Sequence, residues 1–160
     1  MLFRSRRAVD YALRADLLAE IKAAENVGPA AVLDYVRSGW QKGAEKLFTL
    51  YRALACRQRL PLVFTEGEYL PLETEGPLLA FIRRYDPDWV IVAVPLIRYE
   101  TPFPSRVAIT LPPAAPGTWT DCFTGKILLP VGSPDPASTG RTLTWPEGLV
   151  DWPVVLATAR

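Results

Sequence analysis

Residues 78–95 read LLAFIRRYDPDWVIVAVP. Two runs, 78–84 and 89–95, are apolar at nearly every position, and the tetrapeptide YDPD, 85–88, separates them. Short apolar runs of roughly four to eight residues, bounded by turn residues and rich in β-branched side chains, read as strands covered on both faces. Asp and Pro together set a tight turn, since Pro fixes its own backbone angle and Asp can hydrogen-bond the main chain nearby. The stretch therefore predicts an antiparallel hairpin in the middle of a sheet.

Working outward from it, further strands are expected at Tyr69–Leu72, Arg106–Leu111, Trp119–Phe123, Ile127–Leu129, Arg141–Trp145 and Val154–Ala157, with FTGK (123–126) as a second hairpin turn. VGSPDPASTG, 131–140, reads as a flexible loop. Upstream of Pro61 the apolar period changes from 2 to 3.6. Val9, Leu13, Leu17, Leu18, Ile21 and Ala24 predict an amphipathic helix, with Asp10 placed to cap it or to pair with Arg14. Asn26 to Gly28 breaks that helix, and Pro29 suits the first turn of a second one that Gly39 ends. A third is expected from about Lys42 to Arg57. The predicted class is α+β, with a helical segment at 1–60 and an antiparallel, sandwich-like β domain at 61–160.

Composition narrows the function. The 160 residues are 49% hydrophobic, enough for a packed core, and the longest apolar run is far below the roughly 20 residues of a membrane-spanning helix. No apolar leader follows Met1, and a cytoplasmic location with no membrane partner is expected. The chain has no histidine, which removes Ser-His and Cys-His nucleophilic pairs and every histidine metal site. Its two cysteines, Cys56 and Cys122, lack metal or redox spacing and are expected to be buried, reduced thiols. No metal and no cofactor is expected. Residues 1–60 hold 11 Lys and Arg against 6 Asp and Glu, and 61–160 hold 7 against 11. The basic half mixes its charges and has no aromatic stacking pattern, so nucleic acid is not an expected partner.

Several segments resemble the C-terminal part of the maltooligosyl trehalose synthases, glucan glucosylmutases of the α-amylase superfamily. SRRAVDYALRADLLAEI (5–21) resembles their NRRPVD stretch and the helix after it, with Arg6, Arg7, Val9 and Asp10 matching. KLFTLYRALACRQRLPLVFTEGEYLPLE (46–73) matches a block through Lys46, Leu47, Arg52, Ala53, Leu54, Pro61, Phe64, Gly67, Tyr69, Pro71 and Leu72. FIRRYDPDWVIVAVPLI (81–97), WTDCFTGK (119–126) and LVDWPVVLATAR (149–160) follow in the family's order. Ser5 and Ala8 stand where the family has Asn and Pro.

The resemblance implies the end of a catalytic unit followed by a C-terminal β domain, downstream of a (β/α)8 barrel that carries the catalytic carboxylates. No catalytic residue is assigned here. Retaining glycoside chemistry needs two carboxyls about 5 Å apart, one of them with a raised pKa; Glu66, Glu68, Glu73, Glu75, Asp86 and Asp88 instead read as solvated turn and edge positions. The substrate-side candidates are Arg6, Arg7 and Asp10, with Lys46 and Arg52 on the third helix. Arginine forks suit sugar hydroxyls and carboxylates; the plain alternatives are pairing with neighbouring acids for Arg6 and Arg7, a helix cap for Asp10, and solvent-facing or interface positions for Lys46 and Arg52. Trp89, Trp119, Trp145 and Trp152 are either core or a sugar-stacking platform. The implied partners are a maltooligosaccharide in the whole enzyme and the barrel itself, or self-association through the exposed helical face. The other reading is a free-standing carbohydrate-binding or protein-interaction module.

Overall fold

The structure, a computed structural model, describes residues 9–74, 77–96, 107–132, 140–145, 152 and 154–160. They form four α-helices, α1 (Tyr11–Val27), α2 (Pro29–Ser38), α3 (Ala44–Arg59) and α4 (Pro61–Thr65), followed by antiparallel strands. The fold is α+β with its helices N-terminal. The residues group into two compact units that divide between Tyr51 and Arg52, inside α3.

In the first unit, Asp10 caps α1 by accepting the Leu13 N–H at 2.9 Å, and Gly28, at φ 146°, ends the helix. Pro29 opens α2, where its missing N–H costs nothing. Leu17 and Ile21 of α1 are buried, as are Val32, Leu33 and Val36 of α2 and Ala44 and Phe48 of α3. Polar ties close the edges of this core: the Tyr35 hydroxyl donates to Glu20 at 2.5 Å, Tyr51 donates to Glu25 at 3.0 Å, and Arg14 donates to the Lys42 carbonyl at 2.6 Å.

The second unit begins with the last two turns of α3. Helix α4 was not expected from the sequence, where Pro61 reads as a boundary. Here that proline occupies the first turn of a new helix, a position that tolerates it as well as a turn does. The strands are β1 (Glu68–Pro71), β2 (Leu78–Tyr85), β3 (Asp88–Pro95), β4 (Val107–Leu111), β5 (Trp119–Asp121), β6 (Ile127–Leu128), β7 (Val131–Gly132), β8 (Arg141–Trp145) and β9 (Val155–Ala159). They make a six-stranded sheet, β1-β2-β3-β9-β5-β6, and a three-stranded one, β4-β8-β7. Strand β7 corrects the reading of 131–140 as wholly loop: Val131 and Gly132 pair with Thr142 and Arg141. Residues 133–139 lie outside the described set.

The hairpin at 78–95 is as expected. Tyr85 pairs with Asp88 across a turn whose Asp86-Pro87 bond is cis, and β2 and β3 are both interior strands. Arg84 grips Asp86 with two hydrogen bonds of 2.8 and 2.9 Å. Alternation sends Leu78, Ala80, Ile82, Trp89, Ile91 and Ala93 to one face, where they share a core with Ile109, Leu111 and Leu143 of the smaller sheet. Two sheets around one core make this unit sandwich-like. The opposite face carries the cross-strand row Arg83, Val90, Thr158, Thr120. Helix α4 lies against β2 and β3, with Val63 and Val90 buried. Arg83 donates to the carbonyls of Val63, in the last turn of α4, at 2.9 Å and of Gly67, just beyond the helix, at 2.8 Å, the first an acceptor that the helix end leaves open. Among the described residues no helix is long and apolar enough to cross a membrane.

Candidate functional site

The second half of α3 presents Arg52, Ala55, Cys56 and Arg59, the spacing that puts side chains on one helical face. Together with Asp88, Thr118, Thr120, Cys122, Thr158 and Arg160 they line an open cleft of about 770 Å³ on the outer face of the larger sheet, within the usual size range of small-molecule sites, roughly 300–1,000 Å³. Arg160 Nε lies 3.5 Å from Asp88 Oδ1 at its rim. Hydroxyls and guanidinium groups dominate the cleft, so polyhydroxylated or anionic groups are what it can satisfy by hydrogen bonding.

The turn below β5 fixes the cleft floor. Asp121 follows the core row of Ile82, Ile91 and Ala157, and is buried. Its Oδ2 accepts from the Thr124 N–H at 3.0 Å and the Thr124 hydroxyl at 2.5 Å, while Gly125 takes φ 71° and donates to the Asp121 carbonyl at 2.9 Å. Glycine adopts that left-handed angle without steric cost. Oδ1 is buried with no hydrogen-bond partner among the described residues, and burial pushes the carboxyl above its ordinary range against the pull of the Thr124 hydrogen bonds.

One residue later, alternation turns Cys122 to the outer face. Its N–H donates to the Leu156 carbonyl at 2.7 Å, and its carbonyl accepts Arg52 Nε at 2.6 Å. The Arg59 guanidinium stands 3.9 Å from its sulfur. Cys56 and Cys122 line the same cleft; the Cys56 thiol, and after it Arg59, lower Cys122 below the ordinary thiol range against the effect of burial, while Cys122 and burial push Cys56 up. Both thiols are free; Cys56 is buried as expected, whereas Cys122 is only half-buried because the cleft opens above it.

Of the sequence candidates, Arg6 and Arg7 lie outside the described residues. Asp10 serves as a helix cap and Lys46 is exposed on the first turn of α3. Arg52 alone lines the cleft, and its Nε is committed to a backbone carbonyl. The sequence reading missed Cys56, Arg59 and Cys122 as one cluster; the i, i+3, i+4, i+7 stripe on α3 was its one visible trace. Trp89, Trp119 and Trp152 are buried, as the core reading of these residues requires, and the side chain of Trp145 lies outside the described set. Glu66, Glu68, Glu73 and Asp86 are exposed, Asp88 is half-buried, and Glu75 is not described. Among the described residues no three His, Cys, Asp or Glu side chains are grouped to hold a metal.

No protein-family profile matches the chain, and no curated protein matches it. Among solved structures the chain is similar to a noncanonic maltogenic α-amylase, AmyB, from Thermotoga neapolitana, at 12% identity and a TM-score of 0.48. The alignment covers 71% of this chain and 25% of that one, so the chain spans about a quarter of that enzyme's length.

Proposed function

We propose that this chain is the C-terminal, non-catalytic part of a maltooligosyl trehalose synthase-like enzyme, one that converts the terminal α-1,4 linkage of a maltooligosaccharide into an α,α-1,1 linkage. One observation carries the reading. The segments that resemble this family are the ones that hydrogen-bond to each other: Arg52 of the KL...RAL block donates to Cys122 of WTDCFTGK, and Arg83 of FIRRYDPD donates to Val63 and Gly67 of the P.LF..G.Y.PL block. Motifs scattered through the sequence become the joints of one unit. Gly67 belongs to the same joint, because a Cβ there would stand 2.2 Å from the Val63 carbonyl oxygen. Acids in this reading hold structure: Asp10 caps a helix, Asp86 pairs with Arg84, and Asp121 closes a turn.

Leu54 on α3 and Leu62 on α4 are 57% and 49% exposed, apolar groups available to a partner surface. In this reading the partner is the catalytic barrel. Size-exclusion chromatography of the chain mixed with the barrel of a maltooligosyl trehalose synthase lacking its C-terminal part tests it. Co-elution that Leu54→Asp and Leu62→Asp abolish supports the reading, and a chain that stays apart as a stable monomer counts against it.

The polar cleft favours a second reading, a free-standing carbohydrate-binding module. Glucan affinity in the isolated chain, lost when Thr120 and Thr158 become Val, would support that one.

A further inference from the structure

The cleft holds a thiol pair that glucan chemistry does not use. We propose that Cys122 and Cys56 form a reversible peroxide-oxidised dithiol site, with Cys122 the attacking sulfur and Cys56 the resolving one. The pair is built rather than incidental. Cys56 and Cys122 line one cleft; Arg59, one helical turn from Cys56 on α3, stands 3.9 Å from the Cys122 sulfur, and the Cys122 backbone is pinned on its N–H side by Leu156 and on its carbonyl side by Arg52. The roles follow from access. Cys56 is 2% exposed, whereas Cys122 is half-buried in the wall of an open cleft that admits a small oxidant.

The groups around Cys122 favour its thiolate. From α3 the Cys56 thiol and the Arg59 guanidinium, 3.9 Å from the sulfur, lower its pKa; burial and, from its own turn, Asp121 oppose them. Arg52 of α3, Arg160 after β9 and Asp88 of β3 complete the charges lining the cleft. A thiol with a lowered pKa in a partly exposed setting beside an arginine is the combination that makes a cysteine reactive.

The reaction balances with hydrogen peroxide as the oxidant. The Cys122 thiolate attacks one peroxide oxygen, the O–O bond breaks, and the leaving hydroxide takes a proton to become water, leaving a sulfenic acid. The Cys56 sulfur, giving up its proton, then attacks the Cys122 sulfur, the S–O bond breaks, and a second water leaves. Two thiols and one peroxide become one disulfide and two waters. A dithiol reductant reverses it by thiol–disulfide exchange. The bond would tie the second half of α3 to the β5–β6 turn.

The test uses the full chain treated with stoichiometric hydrogen peroxide, then alkylation and peptide mass mapping without reductant. The expected product is an intramolecular Cys56–Cys122 peptide about 2 Da lighter than the two thiol peptides together, formed faster at pH 8 than at pH 6 and removed by dithiothreitol. Cys56→Ser should let the Cys122 sulfenic acid accumulate, trapped by dimedone, and Cys122→Ser should leave Cys56 unreactive. Disulfides only between chains, no disulfide at all in the unsubstituted chain, or Cys56 oxidising as fast in Cys122→Ser as in the original would overturn it. The first two outcomes need no variant to fold.

Discussion

Arg52 and Cys122, far apart in sequence, are joined by a 2.6 Å hydrogen bond from a guanidinium Nε to a main-chain carbonyl. A helix is thereby attached to the turn of a sheet by a side chain whose planar fork holds a fixed direction. Replacing Arg52 by Ala should destabilise the second unit by about 1–2 kcal/mol, the cost of leaving a partly buried acceptor unmet. Lysine should recover only part of that. Urea unfolding followed by tryptophan fluorescence measures it, since Trp119 and Trp152 are both buried in this unit; unchanged midpoints would mean that the bond holds nothing.

Gly67 predicts a larger effect. Its missing side chain would meet the Val63 carbonyl oxygen at 2.2 Å and the Arg84 carbonyl oxygen at 3.1 Å, both of them main-chain atoms that cannot swing aside. Gly67→Ala should therefore cost about 3 kcal/mol, at the upper end for overpacking, and should loosen the end of α4. Thermal melts against the parent chain check the magnitude, and hydrogen exchange at 61–67 checks the location.

Tyr35 supplies a pH dependence for the helical unit. Burial and its hydrogen bond to Glu20 push the phenol up to about 12 from its ordinary value of 10.0. A pKa raised on folding stabilises the fold fully below the unfolded value and ceases to do so as pH climbs through the folded one. Helical circular dichroism should thus show stability falling between about pH 10 and 12. Tyr35→Phe should flatten that slope while lowering stability at pH 7.

Trp119 is fully buried among β-strand side chains, with its indole N–H donating to the Pro116 carbonyl at 3.0 Å. Trp119→Ala should cost about 3–5 kcal/mol, and Trp119→Phe less, by keeping most of the volume while leaving one carbonyl without its donor. Equilibrium unfolding of both variants separates packing from hydrogen bonding.

What the sequence made legible was local. Asp86, Pro87 and the apolar runs beside them specify their hairpin within a few residues, and Asp10, Pro29 and Gly39 mark helix ends by rules that need no tertiary context. Pro61 is ambiguous because the same fixed angle suits a turn and a first helical turn, so α4 went unseen. Val131 and Gly132 form a strand only because β8 lies beside them, which no local pattern reveals. The insertion of β9 between β3 and β5 is likewise a long-range pairing. Cys56 and Cys122 look unrelated until that pairing and the Arg52 bond place both in the wall of one cleft. Among the site candidates Arg52 was legible as important on its motif; its partner, a backbone carbonyl, carries no sequence signature at all.

The central claim, that this chain is a non-catalytic part of a glucosylmutase, is most directly tested by incubating the purified chain with maltohexaose and following reducing ends over time. The account predicts that they persist undiminished. Their loss, with a non-reducing α,α-1,1-linked product, would contradict it and place a working pair of carboxylates within this chain.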